Sequence, residues 1–392
     1  MPGQVDGLLN VTAIAANLEQ SFAIRAINTD TTAPTIAGSR APAANHFGWN
    51  NSSVVAHFDC ADADSGIAGC PSDYTFVNEG AGQSYTGVAI DNAGNTATAT
   101  IENVNIDLTA PTIGGALTTS ANANGWFNGP VTIHWTCNDI GTVQSGIASC
   151  PADDTITTDG AGQSRGGTTT DQAGNSASYG VSGINIDSVA PTITLDGISN
   201  GGIYTLGEVP TAMCAAVDTL SGLDGACSMN VTGGSANGVG TFSFTATATD
   251  KAGNTASVSG SYRVIYRFDS FQQPINDTNH PQVCGAGCVT SIFKGGSTVP
   301  VKFQLKTFDG TVVQAGSPPQ WLTPQRGSPT SAPIDEGVYS DPATSGAMFR
   351  WDSASEQYIY NWSTKGATVG YYYRISVILD DGQTYTVDVG LR

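Results

Sequence analysis

The chain has few basic residues and no long apolar run, and each of these features argues against one class of protein. Lys and Arg number 14 against 33 Asp and Glu in 392 residues, so the formal net charge is −19. A protein that binds a phosphate backbone needs a basic face, and no nucleic-acid binding is expected. No stretch has the length and apolarity of a membrane span, and no membrane insertion is expected.

Recognisable catalytic motifs are also missing. The sequence has no His-Glu-x-x-His, no Gly-x-Ser-x-Gly and no glycine-rich phosphate loop that opens a helix. Two of the four histidines, His57 and His134, occupy equivalent outward positions in two copies of one pattern, which indicates surface hydrogen bonding rather than a catalytic base. We expect no enzyme activity, since none of the many carboxylates stands out as part of an acid/base pair.

Helical periodicity is absent as well, and what remains is typical of short strands and tight turns. The chain has 48 Gly residues and is only 12% charged. Runs such as Thr96–Ile101 alternate with period two, as a strand with one buried face should. The predicted fold class is all-β.

Two motifs recur in tandem along the chain. An Asp-x-Ala-Gly-Asn turn occurs at Asp91–Asn95, Asp171–Asn175 and Asp250–Asn254, and an Ala-Pro-Thr-Ile junction at Ala33–Ile36, Ala110–Ile113 and Ala190–Ile193. The turn predicts a hairpin, since Asp bonds nearby backbone and Gly allows positive φ. Proline cannot donate to a sheet, which places each junction between domains. The predicted boundaries are a partial module at 1–31, repeats at 32–108, 109–188 and 189–265, and a distinct C-terminal domain at 266–392.

Cysteine spacing follows the repeats. The eight cysteines form four close pairs, Cys60/Cys70, Cys137/Cys150, Cys214/Cys227 and Cys284/Cys288. Pairs that recur with the modules predict local disulfides and therefore an oxidising, extracellular location. Zinc is the weaker alternative, because the spacings are unusual for zinc and no histidine is placed to complete a site.

The residues around each first cysteine also match between repeats. Val54, Ala56, Phe58 and Cys60 should share one strand face, as should Val131, Ile133, Trp135 and Cys137. The third repeat keeps Cys214 and Cys227 but lacks the tryptophan found eleven residues before the first cysteine of the other two. It is the most diverged copy.

These elements together resemble the bacterial immunoglobulin-like repeats of large secreted and surface proteins. The resemblance covers roughly residues 1–265 and depends on the co-occurrence of Cys-x-Asp, Ser-Gly-Ile-Ala-x-Cys-Pro, Gly-Ala-Gly-Gln-Ser, the turn and the junction. It implies Ig-like β-sandwiches arranged as beads on a string, which act as spacers or adhesive modules. The residues alone imply only tandem all-β domains.

From Tyr266 the pattern changes and resembles the Pro-x-Lys-Phe (PxKF) domain that ends many such proteins. Three segments carry this second resemblance, Gly295–Leu305, Tyr358–Trp362 and Tyr371–Asp381. Tyr358, Tyr360 and Trp362 alternate along one segment. We interpret them as cross-strand aromatic pairs in a sandwich core, and the alternative is an exposed platform for sugar rings.

Calcium is the one cofactor for which the residues make a case. Asp59, Asp62 and Asp64 lie close together near a loop, and their carboxylates are hard oxygen ligands. The alternative is a turn whose aspartates cap backbone groups. The second repeat keeps only Asn138 and Asp139 of this cluster.

The first thirty residues read as half a module, with strands at Leu8–Ala15 and Ser21–Asn28 and no recognisable signal peptide. We expect a fragment of a longer exported protein, or a hairpin that self-associates by strand addition to a neighbouring chain.

The functional prediction is a non-enzymatic stalk or adhesin that is secreted or at the cell surface, with other surface proteins or polysaccharide as partners. Two alternatives remain open. One is an accessory carbohydrate-binding region of a secreted polysaccharide-degrading enzyme, and the other is a subunit of a surface filament.

Overall fold

The computed structural model describes residues 30–275 and 290–392 in full, together with the backbone of two strands near the N-terminus. The described residues form strands and turns without a helix, which confirms the all-β prediction. None of them belongs to a helix of the length and apolarity needed to cross a membrane. The chain divides into two compact units, residues 1–121 with 129–186, and residues 122–128 with 187–392.

The two N-terminal strands are antiparallel partners. They are β1 (Val11–Asn17) and β2 (Gln20–Arg25). Their pairing is the hairpin that the sequence predicted, displaced by a few residues.

The first repeat is a sandwich of two three-stranded sheets. Its strands are β3 (Thr35–Ala41), β4 (Val54–Ala61), β5 (Ile67–Gly69), β6 (Tyr74–Phe76), β7 (Gly80–Asp91) and β8 (Thr96–Ile106). One sheet has the order β3-β4-β6 and the other β5-β7-β8. Buried side chains of β4, such as Phe58, and of β8, such as Ile101 and Ile106, meet in one core between the sheets.

The second repeat has the same architecture. Its strands are β9 (Thr112–Leu117), β10 (Val131–Asn138), β11 (Ile147–Ser149), β12 (Asp154–Ile156), β13 (Gly160–Asp171) and β14 (Ser176–Ile186), in sheets β12-β10-β9 and β11-β13-β14. Val131, Ile133 and Trp135 are buried along β10 as the alternation predicted. A Cβ atom at Gly115 or Gly167 would lie 2.7 or 3.0 Å from ring atoms of Trp135, so both glycines make room for the indole.

The third repeat departs from this pattern, as its divergent sequence suggested. Its strands are β15 (Thr192–Asp196), β16 (Ile203–Thr205), β17 (Met213–Val217), β18 (Ser228–Gly233), β19 (Gly240–Thr249) and β20 (Thr255–Ile265). Strands β15 and β17 form a two-stranded sheet, and the other four form a sheet in the order β16-β20-β19-β18. Strand β16 pairs in parallel with β20.

The C-terminal region also forms a β-sandwich. Its strands are β21 (Phe271–Gln272), β22 (Ile292–Phe293), β23 (Thr298–Phe303), β24 (Leu305–Lys306), β25 (Val312–Val313), β26 (Gln320–Pro329), β27 (Arg350–Asp352), β28 (Gln357–Ser363), β29 (Tyr371–Ile378) and β30 (Thr384–Leu391). Two four-stranded sheets have the orders β21-β23-β28-β27 and β22-β30-β29-β26. Val299, Val301, Phe303 and Leu305 are fully buried, as their alternation predicted.

Side chains on both sides of the predicted boundary at 265/266 share one hydrophobic core. Phe244 of β19 and Val264 of β20 belong to the same buried cluster as Phe303 of β23. A polar bond adds to this contact, because Nη2 of Arg263 in β20 donates a hydrogen bond to the carbonyl oxygen of Asp381 at 2.8 Å. The third repeat and the C-terminal sandwich are therefore packed together, and the boundary between them stays a prediction.

Three of the four predicted disulfides are present. They join Cys60 to Cys70, Cys137 to Cys150 and Cys214 to Cys227. Cys284 and Cys288 lie outside the described residues, so their pairing stays a prediction.

Removing one disulfide should weaken its repeat. A Cys137→Ser/Cys150→Ser double variant is expected to lower the free energy of unfolding of residues 109–188 by roughly 3 kcal/mol, because the unfolded loop is no longer closed. Native-state hydrogen exchange of β10 and β14 in the full chain would measure this loss. A Ser149→Ala variant, next to the bridge at an exposed position, is the control. Unchanged exchange in the double variant would contradict the prediction.

Candidate metal centres

Nine aspartates form three clusters, one associated with each repeat. In every cluster, one carboxylate oxygen of each residue lies within 4.8 Å of those of the other two. The clusters, named here the first, second and third triad, are Asp30, Asp62 and Asp91; Asp107, Asp139 and Asp171; and Asp187, Asp218 and Asp250. Carboxylates this close repel one another, so a positive charge among them would be stabilising.

Each triad takes its members from the same three places in the repeat. The first lies four residues before the junction proline, as Asp107 precedes Pro111. The second follows the strand that carries the first cysteine, as Asp139 follows β10. The third ends the long strand before the hairpin turn, as Asp171 does in β13. Residues far apart in the chain thus meet at one point of each repeat.

The turn itself orients the third aspartate. Oδ1 of Asp171 accepts hydrogen bonds from the N–H groups of Gly174 and Asn175 at 2.7 and 2.8 Å. Gly174 has a φ of 101°, a conformation that glycine adopts without strain. In the first repeat, burial acts to raise the pKa of Asp91, but hydrogen bonds from Asn95 and its turn outweigh burial and hold that pKa below its ordinary value.

The asparagine that ends each turn connects the first and third aspartates. Nδ2 of Asn175 donates to the carbonyl oxygen of Asp107 at 2.9 Å and to Oδ2 of Asp171 at 2.8 Å. Asn95 and Asn254 make the equivalent bonds in their own repeats. The recurrence of this asparagine therefore has a geometric reason, since it holds the junction against the turn.

The second triad contains a buried carboxylate oxygen without a hydrogen-bond partner. Asp107, Asp139 and Asp171 are 0%, 6% and 2% exposed. Oδ2 of Asp139 accepts a hydrogen bond from the N–H of Gly146 at 2.6 Å, whereas its Oδ1 is buried and has no such partner. Leaving a buried oxygen unsatisfied costs free energy, and a bound cation would satisfy it.

Calcium is the cation that suits these oxygens. Ca²⁺ binds carboxylates and carbonyls at about 2.3–2.6 Å, so oxygens on opposite sides of one ion are about 5 Å apart. The carboxylate oxygens of each triad lie within 4.8 Å of one another, close enough to reach one such ion. Mg²⁺ requires shorter bonds of about 2.0–2.1 Å. Zinc prefers nitrogen and sulfur, and none of the three triads contains His or Cys.

The structure separates the three aspartates for which the sequence suggested calcium. Asp62 joins the first triad, but Asp59 and Asp64 are exposed and lie outside it. The sequence interpretation missed Asp30 and Asp91, which belong to motifs that occur three times. The sequence did contain a sign of these ligands, because an aspartate recurs at the same place in each junction and in each turn.

The two equivalent histidines lie at the surface, each beside an aspartate. Nδ1 of His57 is 2.6 Å from Oδ1 of Asp73, and Nδ1 of His134 is 2.8 Å from Oδ1 of Asp153. The hydrogen bond with Asp73 raises the pKa of His57.

The aromatic residues considered for sugar binding are packed against other side chains rather than exposed on a flat face. Tyr358 and Tyr360 are 1% and 7% exposed, and the ring of Tyr360 stacks on that of Trp321 at 4.1 Å between centroids. The Tyr358 hydroxyl accepts a hydrogen bond from the N–H of Ala315 at 2.7 Å, and burial raises its pKa to about 12. Trp362 is half-buried. The two tyrosines thus have the core positions of the first interpretation and present no open face to a sugar.

Comparison with family models and with curated proteins produced no match to this chain. The PxKF resemblance of the C-terminal region therefore stays a prediction.

Several solved structures of tandem β-domains match this chain at low sequence identity. The protocadherin gammaB4 extracellular domain is 13% identical over 98% of this chain, with a TM-score of 0.23, and this chain spans 65% of its length. A tetra-tandem repeat from the extending region of a large adhesion protein is 12% identical over 92% of this chain and all of its own, with a TM-score of 0.29. Invasin, a bacterial integrin-binding protein, is 11% identical over 91% of this chain and 79% of its own length, with a TM-score of 0.29. The chain is similar to tandem extracellular β-domain proteins in fold class alone.

Proposed function

We propose that this protein is a non-enzymatic, extracellular structural protein of the adhesin type, whose repeats serve as a stalk or spacer and bind calcium at their junctions. The observation that carries the proposal is the recurrence of an aspartate triad at each of the three repeat junctions. A catalytic centre would need its residues once, whereas this set of aspartates occurs in every repeat. Such recurrence is typical of a structural role, for example the binding of a stabilising ion.

The covalent and electrostatic features of the chain agree with this role. Three disulfides inside the repeats require an oxidising compartment, and extracellular fluids supply both that and millimolar calcium. A net charge of −19 favours solubility and attracts cations. The partners that we propose are other surface molecules.

A bound ion would stiffen each junction. The first aspartate of a triad belongs to the connecting segment, whereas the second and third belong to the repeat that follows. An ion held by all three would tie the connector to two loops of that repeat and neutralise their mutual repulsion. The junction asparagine already brings the same segments together, so little ordering is required when the ion binds.

Calcium should therefore stabilise the full chain against heat. At a calcium concentration about 100 times the dissociation constant, each site contributes about 2.7 kcal/mol, which corresponds to a rise in Tm of roughly 5–10 °C. Calorimetry in millimolar calcium, in the same concentration of magnesium and after treatment with a chelator would measure the rise in Tm. An Asp59→Asn/Asp64→Asn variant, changed outside the triads, should keep it, and an Asp62→Asn/Asp139→Asn/Asp218→Asn variant should lose it. A chain whose Tm is the same with calcium and with chelator would contradict the proposal.

The N-terminal hairpin provides a separate test of assembly. Strands β1 and β2 form a two-stranded sheet, and such a sheet gains stability when further strands pair with its edges. Self-association through this hairpin, which a filament would require, predicts a mass that rises with concentration in light scattering. A constant monomer mass would favour the stalk over the filament.

A further inference from the structure

The three triads are not equivalent in burial. All three members of the second triad are buried, at 0%, 6% and 2% exposed for Asp107, Asp139 and Asp171. Asp218 is half-buried in the third triad, and two members of the first are half-buried. Water screens the carboxylates of the second triad least, so their repulsion and their attraction for a cation are strongest.

The middle aspartates also differ in the hydrogen bonds that they receive. Oδ1 of Asp62 accepts bonds from the N–H and hydroxyl of Ser65 and from the N–H of Gly66, at 2.8, 3.2 and 2.7 Å. Oδ1 of Asp218 likewise accepts three bonds from its own loop. These donors neutralise part of the carboxylate charge before any ion arrives, and they compete with an ion for the same oxygen.

Asp139 receives only one such hydrogen bond from its own loop. The N–H of Gly146 donates to its Oδ2, and its buried Oδ1 has no hydrogen-bond partner. The neighbouring serine is turned elsewhere, since Ser145 donates its N–H to Oδ2 of Asp107 and accepts on its hydroxyl from the N–H of Ala173. An unpartnered oxygen in a side chain that is 94% buried is an observation independent of the clustering of acids, and it points to a missing cation.

The length of the loop explains why Asp139 receives fewer hydrogen bonds than Asp62 and Asp218. Asp139 and Gly146 are seven residues apart, whereas Asp62 and Gly66, like Asp218 and Gly222, are four apart. The four-residue spacing lets the loop close on its own aspartate, with the serine hydroxyl as a further donor. The longer loop of the second repeat carries its serine away from Asp139.

We infer that the second triad is the high-affinity calcium site of the three and fills at the lowest free calcium concentration. This inference rests on the proposed function and adds an order of binding to it. The burial of all three carboxylates and the single hydrogen bond to the middle aspartate predict a dissociation constant about tenfold or more below those of the other two triads. The junction before the second repeat would then become rigid at calcium concentrations that leave the other two triads largely free.

Calorimetric titration of the chelator-treated full chain with calcium chloride tests this order. The unmodified chain should show one tight site and two weaker ones. Asp139→Asn should abolish the tight phase and leave the weaker ones, whereas Asp62→Asn and Asp218→Asn, the matched changes in the other loops, should each remove a weak site. A tight phase that survives Asp139→Asn, or three indistinguishable sites, would overturn the inference while the proposed function stands. A chain that takes up no calcium at all would overturn both.

A second variant guards against misfolding of Asp139→Asn. Deleting 141–143 shortens the loop to the four-residue spacing of the other repeats, so the serine can again bond to Asp139. This change keeps all nine aspartates, and it should weaken the tight site about tenfold to the level of the other two. Unchanged affinity in a deletion variant with wild-type circular dichroism would contradict the role assigned to the loop.

Discussion

Replacing Phe244 with alanine is expected to destabilise residues 187–392 as one body, by about 3–5 kcal/mol, the usual cost of emptying a buried phenylalanine site. Phe244 is 2% exposed in β19, within the third repeat. Its buried cluster continues into the C-terminal sandwich through Phe303 of β23 and Val389 of β30. A cavity at Phe244 should therefore weaken strands that lie far from it in the chain.

Native-state hydrogen exchange in the full chain can distinguish a shared core from two separate ones. Strands β19 and β23 should lose protection together and by the same free energy. The control is Phe308→Ala, because Phe308 is 51% exposed and its loss should cost no more than about 0.5 kcal/mol. If β23 kept its full protection while β19 lost it, the shared core would not be a cooperative unit.

Replacing Asp171 with alanine should cost about 3–5 kcal/mol in saturating calcium, because three hydrogen-bond donors of its turn lose their acceptor and the ion loses a ligand. Those donors are the N–H of Gly174 and both the N–H and side-chain amide of Asn175. Without calcium the cost should be smaller, since alanine also removes one of three mutually repelling charges. The difference between the two conditions is the signature of a cation site.

Denaturant unfolding with and without calcium would measure that difference. Asp153→Ala is the matched control, because the Asp153 side chain is 52% exposed and pairs only with a surface histidine in the described part of the chain. Its cost should stay within about 0.5 kcal/mol in both conditions. If Asp171→Ala cost the same with calcium and with chelator, Asp171 would stabilise only its turn, and its role as a calcium ligand would be contradicted.

Local patterns in the sequence predicted most of the first two repeats. Alternation along β4 and β10 identified the buried faces, because successive side chains of a strand point to opposite sides. The Asp-x-Ala-Gly-Asn turns were recognised as hairpins, and the cysteine pairs that lie in the described residues are bonded. These features depend on neighbours within a few residues or on spacing that the repeats display.

The aspartate triads were only partly visible in the sequence. Asp62 was recognised as a ligand candidate, but its partners Asp30 and Asp91 lie about thirty residues away on either side. Proximity in the chain favoured Asp59 and Asp64 instead, which the strand direction and the loop leave at the surface. Only the packing of the two sheets brings the three segments to one point.

The sequence by itself determined that the protein is all-β, repeats a unit of about eighty residues and joins three pairs of cysteines within those units, because strands, turns and local loops follow from patterns of nearby residues. The tertiary structure decided which aspartates form triads, that Oδ1 of Asp139 is buried without a hydrogen-bond partner, and that the third repeat shares its core with the C-terminal sandwich. Those results depend on contacts between residues distant in the chain, and no local pattern specifies them.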